Sequence, residues 1–188
     1  MIGLSDMYWR LRRMLGRGRG IVQDDMGPVQ LVQITPSNLE TFDDVPRMAE
    51  YGFTSAPPDG WDGVAVFFSG DRSSGVVVAT NHQQFRVRGL QKGEACVYDN
   101  QGQTIYFKKG GGILMTDKAG SVVNLNGDGT GSMTFGSGLT VNANVKVAGT
   151  LEVTQNITAD KDVIVSGLST LNHNHTDPQG GTVGPMQG

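Results

Sequence analysis

The sequence is poor in residues on which several classes of protein depend. Cys96 is the only cysteine among 188 residues, which excludes an intramolecular disulfide and gives no sign of an oxidising compartment. No apolar run approaches the roughly 20 residues of a membrane-spanning helix, and no secretory signal is recognisable. The sequence alone therefore predicts a soluble protein that is synthesised in the cytoplasm.

Excess positive charge is also missing. The net charge is −3, and binding to a polyanion normally needs a basic face, so we expect no nucleic acid partner. The acidic pairs Asp24/Asp25 and Asp43/Asp44 are adjacent in sequence, and adjacent side chains on a strand point to opposite faces. His82 has no evident serine or cysteine partner. With no catalytic constellation in view, the sequence predicts a protein that is not an enzyme.

An alternation of apolar and polar residues runs from Ile105 to Val165. Apolar residues occupy 20 of the 31 odd positions and only five of the 30 even ones. Period two places alternate side chains on one face of a strand, so this pattern indicates β structure with one buried and one solvated face. The apolar residues stay at odd-numbered positions on both sides of every glycine-containing turn. This indicates that one long face stays buried.

The first 20 residues are predicted to form a short basic helix that is closed by Gly16, Gly18 and Gly20. Such a segment can meet a membrane surface or an acidic partner, or it can be a solvated terminal helix that docks its aromatic side on the same assembly. Its arginines are Arg10, Arg12, Arg13, Arg17 and Arg19.

Residues 21–99 are predicted to form a small five-stranded barrel of the oligonucleotide/oligosaccharide-binding type. Asp43, Asp44 and Pro46 are expected to break the chain between the first two strands. Phe67 and Phe68 have acidic and polar neighbours, so we assign them to the barrel core and not to a base-stacking platform. The predicted strands are Val29–Ile34, Val64–Ser69, Gly75–Asn81 and Cys96–Tyr98.

Residues 100–166 have an apolar face that nothing else in the chain can cover, because residues 21–99 are used in the barrel. A sheet needs a second layer, so the cover is expected from other copies of the chain. A single-chain solenoid is the alternative, but its coils usually take about 18 or more residues, longer than the segments here. We therefore predict an all-β fold: the barrel, then a homotrimeric intertwined β-helix or β-prism shaft.

Residues 167–188 are predicted to form a tip. His173 and His175 point the same way in extended chain, about 7 Å apart. An isolated pair of this kind is more often two surface imidazoles. On a three-fold axis, however, three copies would bring six imidazoles together, which suits iron, nickel or cobalt better than tetrahedral zinc. Such a metal would be structural and would hold the narrow tip closed.

These parts resemble the central baseplate spike proteins of contractile-tailed phages, especially the phage Mu type. The resemblance covers nearly the whole chain and rests on the barrel, the junction Gly89–Glu94, the glycine-hinged β run, and the sequence His173-Asn174-His175. It implies a trimeric β-helix and one iron ion per trimer, held by His173 and His175 at the apex. It also implies that calcium or chloride ions can be present at the tip, with ligands that we do not assign.

The resemblance leads to an expected function and location. The chain would be a trimeric spike in the virion, within the tail baseplate, joined to hub proteins through its barrel and driven through the host outer membrane during contraction. The alternative is a trimeric glycan-binding tail adhesin, which would need exposed aromatic residues for sugar rings.

Overall fold

Strands make up nearly all the regular structure in the part of the chain that is described. The computed structural model describes residues 3–170, 175–176, 178–180 and 182–183. A ten-residue helix, α1 (Leu4–Arg13), precedes the strands, and none of the helices among these residues is long and apolar enough to span a membrane. The predicted all-β class is confirmed. The first five strands are β1 (Leu15–Asp24), β2 (Gln30–Ser37), β3 (Glu40–Arg47), β4 (Trp61–Phe67) and β5 (Gly75–Asn81).

These five strands close into a barrel, which confirms the predicted small N-terminal barrel. The order is β1-β2-β3-β5-β4, and β4 pairs with β1 to complete the circle. Neighbours are antiparallel except for β3 and β5, which meet in parallel at Arg47 and Val77. The closure between β3 and β5 rests on this single residue pair and on the hydrogen bond from the Met48 amide to Val77 O at 2.9 Å.

The first barrel strand was missed by the sequence analysis. The helix ends at Arg13, and Gly16, Gly18 and Gly20 lie inside β1 instead of terminating a helix. These glycines face inward: a Cβ on Gly18 would collide with the backbone of Thr35, and one on Gly20 with the Trp61 ring. Glycine occurs in a strand where another group approaches the backbone closely, and the sequence pattern alone does not reveal that approach.

The third strand corrects the expectation that Asp43, Asp44 and Pro46 break the chain. These residues belong to β3, and the register with β2 shifts between Val32 and Ile34. Asp44 absorbs the irregularity with a φ of 53°, a left-handed conformation that aspartate tolerates better than most residues. Proline is accepted in a strand at such a bulge.

The barrel core is built around Trp61, which is fully buried. Its indole ring lies against Gly20 and Gly63, where a side chain would clash with it. Phe67 fills the other end and lies 5.1 Å from the Phe42 ring, with the Arg72 guanidinium 4.6 Å from its centroid. The remaining core residues are Val32, Ile34, Val45, Ala65 and Val77.

A second, antiparallel sheet follows the barrel and repeats every nine residues. Its strands begin at positions 95, 104, 113, 122 and 131, each four residues long. One glycine with positive φ recurs at the same spacing, from Gly93 to Gly138. The strands are β6 (Ala95–Tyr98), β7 (Thr104–Phe107), β8 (Ile113–Thr116), β9 (Val122–Leu125) and β10 (Gly131–Thr134); the glycines are Gly93, Gly102, Gly111, Gly120, Gly129 and Gly138.

The nine-residue spacing explains why the apolar phase survives each turn. Four five-residue connections join the strands, each closed by a hydrogen bond from the first amide to the fifth carbonyl, such as Lys108 N to Gly112 O at 2.8 Å. Every pair of facing residues then has the same parity, as in the row Val97, Ile105, Met115, Val123 and Met133. The strand that we predicted at Cys96–Tyr98 therefore exists, but as part of β6 in this sheet and not in the barrel.

Regular pairing stops after β10. No strand lies between Thr134 and Ile164, although this part of the chain is described throughout. Residues from Thr140 onward form a compact unit separate from Met1–Leu139. This unit contains two short hairpins, β11 (Ile164–Val165) with β12 (Leu168–Ser169) and β13 (His175–Thr176) with β14 (Thr182–Val183).

Candidate functional site

The odd-numbered face of the second sheet is an apolar surface that the described part of the chain leaves largely uncovered. The exposed fractions of Ile105 and Met133 are 39% and 66%, whereas Ile113, Val123 and Phe135 are half-buried. A shallow cavity of about 470 Å³ is lined by Val97, Ile105, Met115, Val123 and Phe135, among others. An apolar surface of this kind on a soluble protein marks a place where another surface binds.

The opposite face of the same sheet is more covered than the apolar one. Thr104, Tyr106, Leu114 and Thr116 are half-buried, whereas Ile105, Phe107 and Met115 next to them are exposed. Side-chain hydrogen bonds cross this even-numbered face, for example Lys108 Nζ to Asn124 Oδ1 at 3.1 Å. The odd-numbered, apolar face is therefore the more exposed of the two faces.

The same apolar alternation continues beyond the sheet, and there too its residues are exposed. The exposed fractions in this series run from 40% at Val163 to 68% at Val145 and Leu151. In this single chain, residues 139–165 therefore present apolar side chains to water without forming a core. The members of this series are Leu139, Val141, Val145, Val147, Leu151, Val153, Ile157, Val163 and Val165.

The two histidines predicted to bind metal fall largely outside the described residues. His173 lies outside them, as does the side chain of His175, whose backbone pairs with Val183 in the hairpin β13–β14. Within the described part of the chain, no three His, Cys, Asp or Glu side chains come together in a way that would hold a metal ion. The iron site at His173 and His175 stays a prediction.

Glu94 stabilises the junction between barrel and sheet, a role that the sequence analysis did not anticipate. Its carboxylate accepts hydrogen bonds from Tyr106 Oη, from the Gln91 amide at 2.7 Å and from the Lys109 amide at 3.1 Å. These hydrogen bonds lower the pKa of Glu94, and the bond from the Tyr106 hydroxyl has the largest effect. In return, the Glu94 carboxylate raises the pKa of Tyr106. Glu94, which directly precedes β6, therefore binds the hairpin of β6 and β7 through Tyr106 and Lys109.

Arg47 fixes a surface loop on the barrel that carries two exposed aromatic residues. Its guanidinium donates to Ser55 O at 2.6 Å and to Thr80 Oγ1 at 3.0 Å, and burial lowers its pKa. The loop held in this way exposes Tyr51 fully and Phe53 by about two thirds. The sequence analysis did not identify this surface.

Helix α1 presents a second uncovered surface on the N-terminal unit. Leu4, Met7, Tyr8 and Leu11 follow the i, i+3, i+4, i+7 spacing of one helix face, and each is at least half exposed. The Arg12 guanidinium lies 5.8 Å from the Tyr8 ring centroid, beside this apolar stripe. An amphipathic helix with a free apolar face is suited to a groove on a partner protein.

The acidic pairs and His82 have ordinary structural contacts. Asp43 Oδ1 accepts a hydrogen bond from Gln23 Nε2 at 3.3 Å and another from Gln33 Nε2, while Asp25 accepts one from Gln30 at 2.7 Å. His82 lies against the Phe85 ring at 4.5 Å between centroids. These contacts assign the side chains to holding the barrel and its loops together.

Comparison with known proteins finds a family model that is similar to the barrel region. Residues 19–84 match the family described as Bacteriophage Mu Gp45, N-terminal, a range that begins in β1 and ends just after β5. The matched segment therefore covers most of the closed barrel.

A curated relative extends the match into the sheet region. The chain is 32% identical over 115 residues to the baseplate puncturing device gp45 of Escherichia phage Mu. The alignment covers 61% of this chain and 58% of that protein, so the chain spans less than two thirds of the relative's length. Together the two matches confirm the resemblance to Mu-type baseplate spikes. The expected place in the virion, within the tail baseplate, agrees with the relative's name.

Proposed function

We propose that this protein is a structural part of a phage tail baseplate: a homotrimeric, cell-puncturing spike that is driven through the host outer membrane when the tail contracts. The observation that carries this proposal is the uncovered apolar face of residues 95–165, which keeps one phase through the sheet and beyond it. Three copies around an axis would bury that face and yield a rigid rod. The name of the Mu relative, a baseplate puncturing device, supports the same role.

Piercing a membrane requires stiffness and a closed point, and it requires no covalent chemistry. A protein with this proposed role is therefore not an enzyme. Its tip would be closed by one iron ion that three pairs of His173 and His175 bind, since neutral imidazole is a good ligand for iron. Calcium or chloride ions at the tip remain a further expectation without assigned ligands.

The N-terminal barrel is the part that would attach the spike to the tail hub. Attachment would use side chains, and the stripe of Leu4, Met7, Tyr8 and Leu11 on α1 is an exposed apolar surface suited to this role. The arginines beside this stripe favour a groove with acidic margins. Neither nucleic acid nor a permanent membrane partner is part of this proposal.

Imaging of the purified full-length chain by negative-stain electron microscopy tests the proposed architecture. We expect elongated particles with a thicker barrel end and a narrow shaft. Compact particles of monomer size would contradict the proposal. Elemental analysis of the same sample should find one iron per three chains, and iron-free trimers would contradict the tip assignment alone.

The second candidate is a trimeric glycan-binding adhesin, which the exposed Tyr51 and Phe53 favour. Phe53 also lines a cavity of about 560 Å³ together with Pro57, Phe85 and Tyr98. Aromatic rings beside a cavity are suited to the apolar faces of sugars. Binding of the purified chain to host surface polysaccharide, lost in Tyr51→Ala/Phe53→Ala, would favour the adhesin; rod-shaped particles that bind no polysaccharide would exclude it.

A further inference from the structure

The two ends of the barrel differ in what they carry. Strands β1 and β3 run in the same direction as β5, because β2 is antiparallel to both β1 and β3, and β3 meets β5 in parallel. The loops that follow β1 and β3 therefore leave the barrel at the same end as the connection from β5 to the second sheet. Helix α1 precedes β1 and lies at the opposite end, where it stays free for the tail hub.

The loop after β3 carries an ordered tip, residues 48–53, which we call the aromatic loop. Tyr51 is fully exposed, and Phe53 is exposed by about two thirds. The Phe53 amide donates a hydrogen bond to Glu50 O at 3.0 Å, and Gly52 has a φ of 89°, so the tip is a closed turn. Because the loop is already ordered, a partner that binds it would cost little conformational entropy.

Acidic side chains surround the aromatic loop. Residues 21–60 contain seven Asp and Glu residues and a single basic residue, the half-buried Arg47. Glu50 lies in the loop itself, so a partner of this surface should be basic. The exposed acidic residues at this end of the barrel are Asp24, Asp25, Glu50 and Asp59.

A basic surface lies at the same end of the barrel, on residues 82–94, which we call the basic connector. It contains three basic residues and one acidic residue, Glu94, whose carboxylate already binds Tyr106. Hydrogen bonds within the connector order it, such as that from the Arg86 amide to His82 O at 2.9 Å. Its exposed side chains include Arg86, Arg88, Leu90 and Lys92.

The two surfaces are adjacent in one chain but do not neutralise each other there. Phe53 of the aromatic loop and Phe85 of the basic connector line the same cavity of about 560 Å³. The ion pairs found among the described residues are Arg19 with Asp62 and Arg72 with Glu40, which involve neither surface. Copies around a three-fold axis meet at equal height, so two different surfaces at one level can form a contact that closes into a ring.

We propose that the aromatic loop of each copy docks on the basic connector of the neighbouring copy, so that the three barrels form a closed collar where the second sheet begins. This proposal rests on the proposed trimer and adds a contact between its barrels. Glu50 would face the arginines of the connector. The rings of Tyr51 and Phe53 would cover Leu90 and stack on the guanidinium groups, for which aromatic faces are good partners.

Cross-linking of the full-length chain tests this contact. In a Cys96→Ala background, which removes the natural thiol, Tyr51→Cys/Arg88→Cys is treated with a short bismaleimide. Each chain then carries both thiols, so head-to-tail contacts should give covalent trimers on denaturing gels. Asn38→Cys/Arg88→Cys is the matched control, because Asn38 is also exposed but lies at the other end of the barrel. Its yield of linked chains should be about tenfold lower or less.

Charge reversal tests the chemistry of the same contact. Glu50→Arg, added to the cross-linking variant, places like charges opposite each other and should lower the yield of covalent trimers about fivefold or more. Adding Arg86→Glu to that variant restores one pair of opposite charges and should recover the yield. Failure of the second reversal to recover it would contradict the ionic part of the contact.

The remaining outcomes separate this proposal from the proposed function. A wild-type chain that sediments as a monomer would overturn the proposed function itself. A trimer in which Tyr51→Cys/Arg88→Cys links no better than the control, or links only within single chains, would overturn the collar and leave the trimer standing. Reaction of Tyr51→Cys in the trimer with a bulky maleimide as fast as in urea would show a loop open to a hub protein and would also overturn it. Polysaccharide binding that Tyr51→Ala/Phe53→Ala abolishes would assign the loop to the adhesin instead.

Discussion

The barrel and the region that follows it use apolar residues in opposite ways. All buried apolar side chains of the described residues lie between Val32 and Val77, inside the barrel. The alternating apolar residues from Ile105 to Val165 are more numerous, yet they contribute none to that core and are mostly exposed. The barrel completes its own core, whereas the apolar face of the second region would be buried only in the proposed trimer. We therefore expect substitutions in the two regions to change different measured properties.

The largest effect is expected from a charge on the apolar face of the sheet. Val123→Asp would bring three carboxylates together around the axis, and a buried, unpaired charge costs several kcal/mol. We expect the variant to sediment as a monomer with a folded barrel. Asn124→Asp, one residue along and on the other face, is the matched control and should stay trimeric. Trimeric Val123→Asp would contradict the buried position of this face.

The next effect belongs to the barrel alone. Trp61→Ala removes the largest fully buried side chain and should destabilise the barrel by about 3–5 kcal/mol. Urea denaturation should show a lower midpoint for the barrel transition and an unchanged one for the shaft. If both transitions shifted together, the two regions would not be independent. Phe68→Ala, an exposed neighbour of the core, serves as the control and should change neither midpoint appreciably.

The third effect concerns the tip. His173→Ala/His175→Ala should remove the iron and leave the trimer mass and the shaft transition nearly unchanged, because the metal would close only the final turns. Elemental analysis and sedimentation provide the two readings. His82→Ala, which changes a histidine on the barrel side, should keep the iron. Full iron content in the double variant would show that other groups bind it.

The smallest effect is a change in the pH dependence at the junction. The pKa of Glu94 is lowered in the folded state, so its contribution to stability is present above the unfolded pKa and is lost as pH falls through the folded one. The pKa of Tyr106 is raised, so its contribution is lost as pH rises past its unfolded value. In Tyr106→Phe, the midpoint temperature of thermal unfolding should therefore fall less steeply at acidic pH, near the Glu94 pKa, and at alkaline pH, near the Tyr106 pKa. An unchanged profile would show that the contact does not stabilise the junction.

The sequence revealed those parts of the fold in which local pattern and local structure coincide. Alternation predicted the strands around Ile105, Met115 and Val123, because each strand pairs with its neighbour in sequence. It missed β1, where Gly16 and Gly20 look like helix terminators and in fact make room for Phe67 and Trp61. It also missed β3, whose bulge at Asp44 depends on its pairing with β2.

The candidate site was predicted only in part, for a related reason. The uncovered face could be predicted from the apolar residues at odd-numbered positions. The roles of Glu94 and Arg47 depend on contacts with residues far away in sequence, which no repeating sequence pattern indicates. The alternation from Ile105 to Val165 also predicted β structure throughout, but the single chain forms no strand between Thr134 and Ile164. An alternating segment needs a pairing strand, and here the other copies would have to supply it.

Sedimentation equilibrium of the full-length chain is the most direct test of the claim that this face is shared between copies. The account predicts a single species with three times the chain mass of 20.0 kDa, unchanged across the dilution range in which Val123→Asp is monomeric. A stable wild-type species of 20.0 kDa, with residues 105–165 protected from hydrogen exchange, would contradict it.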